Sequence, residues 1–201
     1  FSEELFAWSS QLRASSEMID IISNKFLILP QGGTAVGSGI NAHKQFSRYF
    51  SQEISKLYPG KYKFVASKNF YHELSSQDCS VQLSGELKNL AVILMKISND
   101  LRWMNSGPLT GLSEIELKAL QPGSSIMPGK VNPVIPEAVA MASADVIGND
   151  ASITVAAQSG SFQLNVMLPV IAYNLLKSIN LMAGSMSVLS QKAIKSFRVN
   201  V

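Results

Sequence analysis

The sequence predicts an all-α fold, a bundle of long helices. Charged residues make up 15% of the chain, against about 25% in ordinary soluble domains, which favours a segment whose surface is largely covered. An amphipathic pattern over residues 1–29 indicates one long helix. The strongest evidence is a seam of apolar residues at alternating spacings of four and three, typical of buried helices in bundles. The seam comprises Leu83, Leu87, Leu90, Leu94, Ile97, Leu101 and Met104.

The first helix is predicted over residues 1–29, because apolar side chains from Leu5 to Leu29 recur on one helical face. Pro30 should end it, since proline lacks the N–H that a helix interior needs. The next segment, residues 31–41, is too rich in glycine for a helix interior. We interpret its glycines as shaping a break between helices rather than touching a ligand; they are Gly32, Gly33, Gly37 and Gly39.

A second helix is predicted over residues 42–57, followed by a turn at residues 59–62. The third helix, residues 82–104, carries the seam and has further apolar residues on its flanks. A helix that is apolar on so many sides should be buried by several neighbours. At its end, Arg102 and Trp103 are expected to have a packing or capping role.

The remaining chain is predicted to contain two more helices after an irregular stretch. Residues 109–133 lack helical periodicity, with short strands expected around residues 115–117. The fourth helix should begin near Pro133 or Pro136 and reach about Gly148; its continuation beyond Gly148 is left open. The fifth should run from Pro169, a residue suited to the first helical turn, to about Ile194.

Composition excludes several classes of function. The formal charge is +3 and no Lys/Arg run occurs, so a nucleic-acid partner is not expected. The single cysteine, Cys79, permits neither a disulfide framework nor a cysteine metal cluster and fits a reducing compartment. His43 and His72 are expected to be ordinary surface residues. No apolar run reaches the roughly 18 residues of a membrane span, so no membrane partner is expected.

The segment GSSIMPGKVNP, Gly123–Pro133, has the composition of a ligand-binding loop between helices. Ser124 and Ser125 offer hydroxyls, Lys130 a positive charge and Asn132 an amide. The fourth helix begins just after this loop, so its N-terminal dipole adds to the attraction for an anion. These groups suit a carboxylate, although on these residues alone a solvated connection between helices is an equal alternative.

Two familiar anion-binding loops do not fit. A P-loop has four residues between its first glycine and the Gly-Lys pair, then Ser or Thr. Here five residues separate Gly123 from Gly129, and Val131 follows Lys130. The upstream glycine-rich segment lacks the dinucleotide-binding spacing and follows a predicted helix rather than a strand.

The loop resembles the signature of the aspartase/fumarase superfamily, G-S-S-x-M-P-x-K-x-N-P, and matches all eight fixed positions. The stretch GGTAVGSGIN at residues 32–41 resembles the GGTAVGTGLN of fumarases. The stretches ISNDLRWMNSGP at 97–108 and GNDASITVAAQSGSFQLNVMLP at 148–169 also resemble class II fumarases and aspartases. The resemblance therefore covers essentially the whole chain.

This resemblance implies that residues 1–201 are most of the central helical domain of such a protein, without its N-terminal and C-terminal domains. It implies a lyase that hydrates fumarate reversibly to malate, with anti geometry, through an aci-carboxylate carbanion. Aspartate ammonia-lyase and a non-catalytic structural member, like the crystallins, remain the alternatives. Glycines in GGTAVG and in PGK favour fumarase, whereas VNPVIPEAV at residues 131–139 is more like aspartase.

The resemblance also assigns site residues. Ser124 matches the catalytic base, and Glu137 matches a glutamate that pairs with an active-site histidine from another subunit. Ser125, Lys130, Val131 and Asn132 match substrate-binding positions. No metal or other cofactor is implied. The family's histidine segment has no counterpart here, so the chain alone is expected to be inactive. A homotetramer with composite sites is implied, in the cytoplasm or, in a eukaryote, the mitochondrial matrix.

Overall fold

The computed structural model describes residues 1–60, 62–127 and 129–200 and is predominantly helical, which confirms the all-α prediction. Its α-helices within these residues are α1 Ser2–Ser23, α2 Phe46–Leu57, α3 Phe70–Ser75, α4 Asp78–Met104, α5 Val134–Ala157 and α6 Leu168–Leu189. Four two-residue strands accompany them: β1 Ile28–Leu29, β2 Val65–Ala66, β3 Ile115–Glu116 and β4 Arg198–Val199.

The first helix is shorter than the periodicity predicts. After α1 the chain tightens into a 3₁₀ turn at Asn24–Leu27 and then extends as β1. Strand β1 pairs in parallel with β2, Ile28 opposite Val65 and Leu29 opposite Ala66. This pairing satisfies the backbone of residues that a longer helix would otherwise have included.

The seam prediction for the third helix is confirmed. All seven seam residues of α4 are buried, and Leu94 and Leu101 are 1% and 0% exposed. On the flanks, Ala91 and Ile93 are buried, whereas Val92 is 53% exposed. One side of α4 therefore lies at the surface of this chain.

The end of α4 differs from the expectation. Trp103 is 68% exposed and does not pack into the core, so that part of the prediction was wrong. Arg102 is also exposed and donates to the Asn99 side chain at 3.1 Å, one turn earlier in the same helix. Trp103 lies between the buried seam residues Leu101 and Met104 in sequence, on a face of the helix that the seam does not include.

Helix α5 continues through Gly148 to Ala157, which resolves the continuation that the sequence left open. A glycine within a helix costs about 1 kcal/mol relative to alanine, and packing along a long helix exceeds this. The connection to α6 is held by Asn165, which is 7% exposed. Its Nδ2 donates to the carbonyl of Ala156 at 3.0 Å, and its Oδ1 accepts from Met167 N–H at 2.8 Å.

The chain divides into two compact units, each formed from separate stretches. One comprises residues 1–13, 87–149 and 176–201; the other comprises residues 14–86 and 150–175. The first contains the buried side chains of Leu94 and Leu101 of α4, Val139 and Val146 of α5 and Met182 of α6, together with Ile115 of β3. The second contains α2, α3, the β1–β2 pair and the glycine-rich segment.

The glycine-rich segment forms turns that pack directly on α3, a short helix that sequence reasoning missed. A Cβ at Gly33 would lie 2.8 Å from Phe70 Cβ, and one at Gly37 would lie 2.7 Å from Tyr71 N. Gly37 also has φ +100, a conformation that side-chain-bearing residues rarely adopt. The predicted helix break is confirmed, and these two glycines allow α3 to approach the backbone.

Among the described residues, no helix is both long and apolar enough to cross a membrane.

Candidate active site

The signature loop, Gly123–Pro133, lies between β3 and α5. Strand β3 is held by antiparallel pairing with β4, Ile115 opposite Val199. Asn200 extends this pairing: its N–H donates to the Glu114 carbonyl at 3.0 Å, and its Nδ2 donates to the Ser113 carbonyl at 2.8 Å. The segment that leads into the loop is therefore fixed by the stretch that follows α6, although the described residues of the loop form neither helix nor strand.

The loop closes on itself at Gly123 and Lys130. A Cβ added at Gly123 would lie 2.4 Å from the Lys130 carbonyl oxygen. Within the loop, Lys130 N–H donates to the Met127 carbonyl at 3.1 Å, and Gly129 has φ +80. A glycine in such a loop can permit close approach of a ligand or of another part of the chain. In the structure its missing side chain permits approach of Lys130, which brings that residue's backbone beside the neighbour of Ser124.

Ser124 has the most distinctive geometry in the loop. Its Oγ accepts hydrogen bonds from the backbone N–H groups of Ile126, at 3.2 Å, and Met127, at 3.3 Å. The side chain is partly buried, whereas Ser125 and Ile126 on its C-terminal side are exposed. Two N–H donors aimed at one oxygen stabilise negative charge on that oxygen, because each dipole points its positive end toward it.

Helix α5 places its N-terminus at the end of the loop. The Glu137 N–H donates to the Pro133 carbonyl at 3.2 Å, so helical bonding begins at Pro133. Pro136, in the first turn, is fully buried; it has no N–H, and none is needed there. The unpaired N–H groups of this turn direct positive potential toward the loop. Glu137 lies in this first turn, half-buried, as the sequence places it.

The predicted substrate-binding residues of the loop lie at the surface. Ser125, Lys130, Val131 and Asn132 are all exposed. Within the described part of the chain, the polar side chains among these four and that of Glu137 make no hydrogen bond to another side chain. The structure thus brings Ser124 together with backbone donors, and it leaves the side-chain donors of Lys130 and Asn132 directed to solvent.

Sequence reasoning did not identify the N–H groups of Ile126 and Met127 as donors to Ser124. An apolar side chain gives no sign that its backbone N–H is functional. Sequence reasoning also did not single out Lys118 and Lys192, which line one small cavity together with the first turn of α5. These lysines are far apart in sequence, so no local motif marks them.

Among the residues that the structure describes, no group of three or more His, Cys, Asp or Glu side chains is arranged to hold a metal ion. The two histidines, His43 and His72, are exposed, in agreement with the sequence prediction. Both belong to the other compact unit.

Comparison with known proteins identifies the family. The sequence profile of a family described as lyase (Lyase_1) matches residues 1–148. The chain belongs to this lyase family. It is 58% identical to class II fumarate hydratase 2 of Pseudomonas aeruginosa over 99% of this chain and 43% of that protein. It is 46% identical to the class II fumarate hydratase of Bacillus subtilis over 98% of this chain and 42% of that protein.

Solved structures of lyases share the fold. The class II fumarase of Schistosoma mansoni superposes with a TM-score of 0.92 at 36% identity, covering 98% of this chain and 44% of that one. The fumarate lyase:delta crystallin of Brucella melitensis in its native form gives a TM-score of 0.89 at 39% identity, covering 99% and 44%. The chain spans less than half of the length of the curated relatives it matches.

Proposed function

We propose that the chain is the central helical part of a fumarate hydratase, an enzyme that interconverts fumarate and malate. The observation that supports this most directly is the pair of N–H groups of Ile126 and Met127 donating to Ser124 Oγ. A serine base must exist as an alkoxide to remove a proton from carbon, and these donors favour the charged form. The similarity to class II fumarate hydratases supports the same substrate.

In the dehydration direction, the Ser124 alkoxide takes a proton from the malate carbon next to one carboxylate. The electron pair of the broken C–H bond moves into that carboxylate, which becomes an aci-carboxylate with two negative charges. The pair then returns to form the double bond as hydroxide leaves from the neighbouring carbon, with a proton supplied from outside this chain. Hydration is the reverse sequence.

Lys130 and Asn132 supply the groups that bind this carboxylate. A cation and an amide beside it stabilise the doubly charged intermediate more than the singly charged substrate, so they lower the barrier as well as aid binding. The N-terminus of α5 adds positive potential on the same side. One preorganised donor to a developing oxyanion contributes about 3–4 kcal/mol.

We further propose a homotetramer in which Glu137 pairs with a histidine of another subunit. Support comes from large apolar side chains that are exposed along the helices: Met141 and Val155 of α5 are 68% and 56% exposed, and Tyr173 and Leu176 of α6 are 68% and 59% exposed. Large apolar side chains that are this exposed are candidates for burial against other subunits.

The test is Ser124→Ala in the full-length protein, measured by ultraviolet absorbance of fumarate with malate and, separately, with aspartate. Turnover of malate should fall by several orders of magnitude while circular dichroism stays unchanged. The control is Ser10→Ala, at an exposed serine of α1 whose hydroxyl bonds only within its helix, to the Phe6 carbonyl. Near-normal turnover in Ser124→Ala, or faster turnover of aspartate than of malate by the parent protein, would contradict the proposal.

Two substitutions at Lys130 test the role of its charge. Lys130→Met keeps length but removes the charge and all donors, whereas Lys130→Arg keeps the charge in a broader planar group. We expect kcat/KM to fall in the order wild type, Arg, Met. Activity of Lys130→Met within a few-fold of wild type would show that another group binds the carboxylate.

A further inference from the structure

His72 lies at the junction of α3 and α4 and faces a carboxylate on each side. Its Nδ1 lies 3.0 Å from Glu73 Oε1, and its Nε2 lies 3.2 Å from Asp78 Oδ2. Glu73 is the next residue of α3, and Asp78 is the first residue of α4. The imidazole therefore bridges the end of one helix and the beginning of the next.

The number of these contacts that the ring can donate depends on its protonation state. Neutral imidazole has one N–H donor and one lone-pair acceptor, and only imidazolium donates from both nitrogens. Ionised carboxylates accept but do not donate. The ring can therefore donate to both Glu73 and Asp78 only when His72 is protonated. Loss of the proton would set a lone pair against a carboxylate oxygen and break one of the two contacts.

Helix α3 depends on such tethers because it has only six residues. Isolated helices shorter than about 12–15 residues are marginal in water. The N-terminus of α3 is capped by Asn69 Oδ1, which accepts from His72 N–H at 3.2 Å. Among the described residues, the His72–Asp78 contact is the only side-chain hydrogen bond that joins α3 to α4.

The electrostatic surroundings favour the protonated ring. The hydrogen bond to Asp78, followed by that to Glu73, raises the pKa of His72 above its ordinary value. Two other titratable groups lie near the junction, Cys79 of α4 and Lys25 of the 3₁₀ turn. Burial raises the pKa of the Cys79 thiol, and the positive charge of Lys25 opposes that shift. The Lys25 ammonium donates to the Gln82 side chain at 2.6 Å. Neither is among the groups that bond to His72.

We propose that the α3–α4 junction is a pH-sensitive clasp in which protonated His72 holds α3 to Asp78 and, through α3, orders the glycine-rich segment. The clasp is closed below the ordinary histidine pKa of about 6.5 and opens as pH rises through the higher value of the folded protein. The sign follows from the raised pKa: the folded state binds the proton more tightly, so the stabilisation is present at low pH and lost at high pH. The effect reaches Gly33 and Gly37 because they pack against the backbone and side chains of α3.

The experiment uses the intact protein and two readouts by mass spectrometry. The first is exchange of the imidazole C2 proton, which reports the pKa of His72. The second is amide exchange of residues 33–37 and 70–75 from about pH 6 to about pH 9, a range spanning histidine titration, corrected for the intrinsic pH dependence of exchange. We expect protection of both segments to fall several-fold as pH rises. His72→Gln should abolish this dependence, and Asp78→Asn should lower the pKa of His72 toward about 6.5.

His43→Gln is the matched control, because the chain has only these two histidines. It should leave the exchange of α3 and of residues 33–37 as in wild type. All the side chains changed here are substantially exposed, so folding is expected to survive. Two results would overturn the proposal: a pH dependence in His72→Gln equal to that of wild type, or a His72 pKa that Asp78→Asn does not change.

Discussion

Gly123→Ala should disable the signature loop without unfolding the protein. The added Cβ would lie 2.4 Å from the Lys130 carbonyl oxygen, whereas ordinary contacts begin at 3.4 Å. The loop must therefore open by about 1 Å at the point where it closes on itself, and a displacement of that size in an active site can cost about 100-fold in rate. A 100-fold loss corresponds to about 2.7 kcal/mol in the activation free energy.

The assay is steady-state malate dehydration by the full-length variant, with thermal unfolding measured in parallel. The matched control is Gly184→Ala, in the interior of α6, where an added Cβ meets nothing within 4 Å. Alanine there should stabilise the helix by up to about 1 kcal/mol, because it is the better helix former. If Gly123→Ala kept more than about a third of wild-type turnover, the close contact would not be what positions Ser124.

Two further predictions concern the fold. Leu94→Ala, at the 1%-exposed centre of the α4 seam, should lower the free energy of unfolding by about 2–5 kcal/mol in denaturant titration. Val92→Ala, at a 53%-exposed flank, should change it by less than about 1 kcal/mol. Equal effects of the two substitutions would contradict the assigned buried face of α4. Asn165→Ala should lower the free energy of unfolding by about 1–3 kcal/mol, because it leaves the Ala156 carbonyl and the Met167 N–H without their partner. Amide exchange in the connection between α5 and α6 should increase. Unchanged exchange there would show that Asn165 does not hold this connection.

The elements that could be predicted from the sequence are those determined by neighbouring residues in the chain. The seam from Leu83 to Met104 repeats over a whole helix, so its period alone fixed the buried face. Helix α3 could not be predicted, since six residues carry no period and its support comes from Asn69 and Asp78. Strand β3 lies where the sequence predicted a short strand, around residues 115–117. The strand pairings could not be predicted, because the partners lie 37 positions apart for Ile28 and Val65 and still further apart for β3 and β4.

The candidate site divides in the same way. A sequence motif identified Ser124, Lys130 and Asn132 as candidate site residues, because the chemistry of a side chain follows directly from its residue type. The donors to Ser124 are backbone groups of two apolar residues, and only the loop's conformation reveals them. His72 was read as an ordinary surface residue; it is exposed, but its two carboxylate contacts depend on how α3 meets α4.

The two hydrogen bonds to Ser124 Oγ also limit how this hydroxyl can contact a ligand. A hydroxyl oxygen has two lone pairs and one hydrogen. With both lone pairs engaged by Ile126 and Met127, the resting hydroxyl can meet an arriving ligand only through its hydrogen. Such a serine can contact a carboxylate as the hydrogen-bond donor, because carboxylate oxygens accept. When that hydrogen leaves, the two N–H groups are already aimed at the oxygen, so the negative charge of the proposed base forms without rearrangement of the loop.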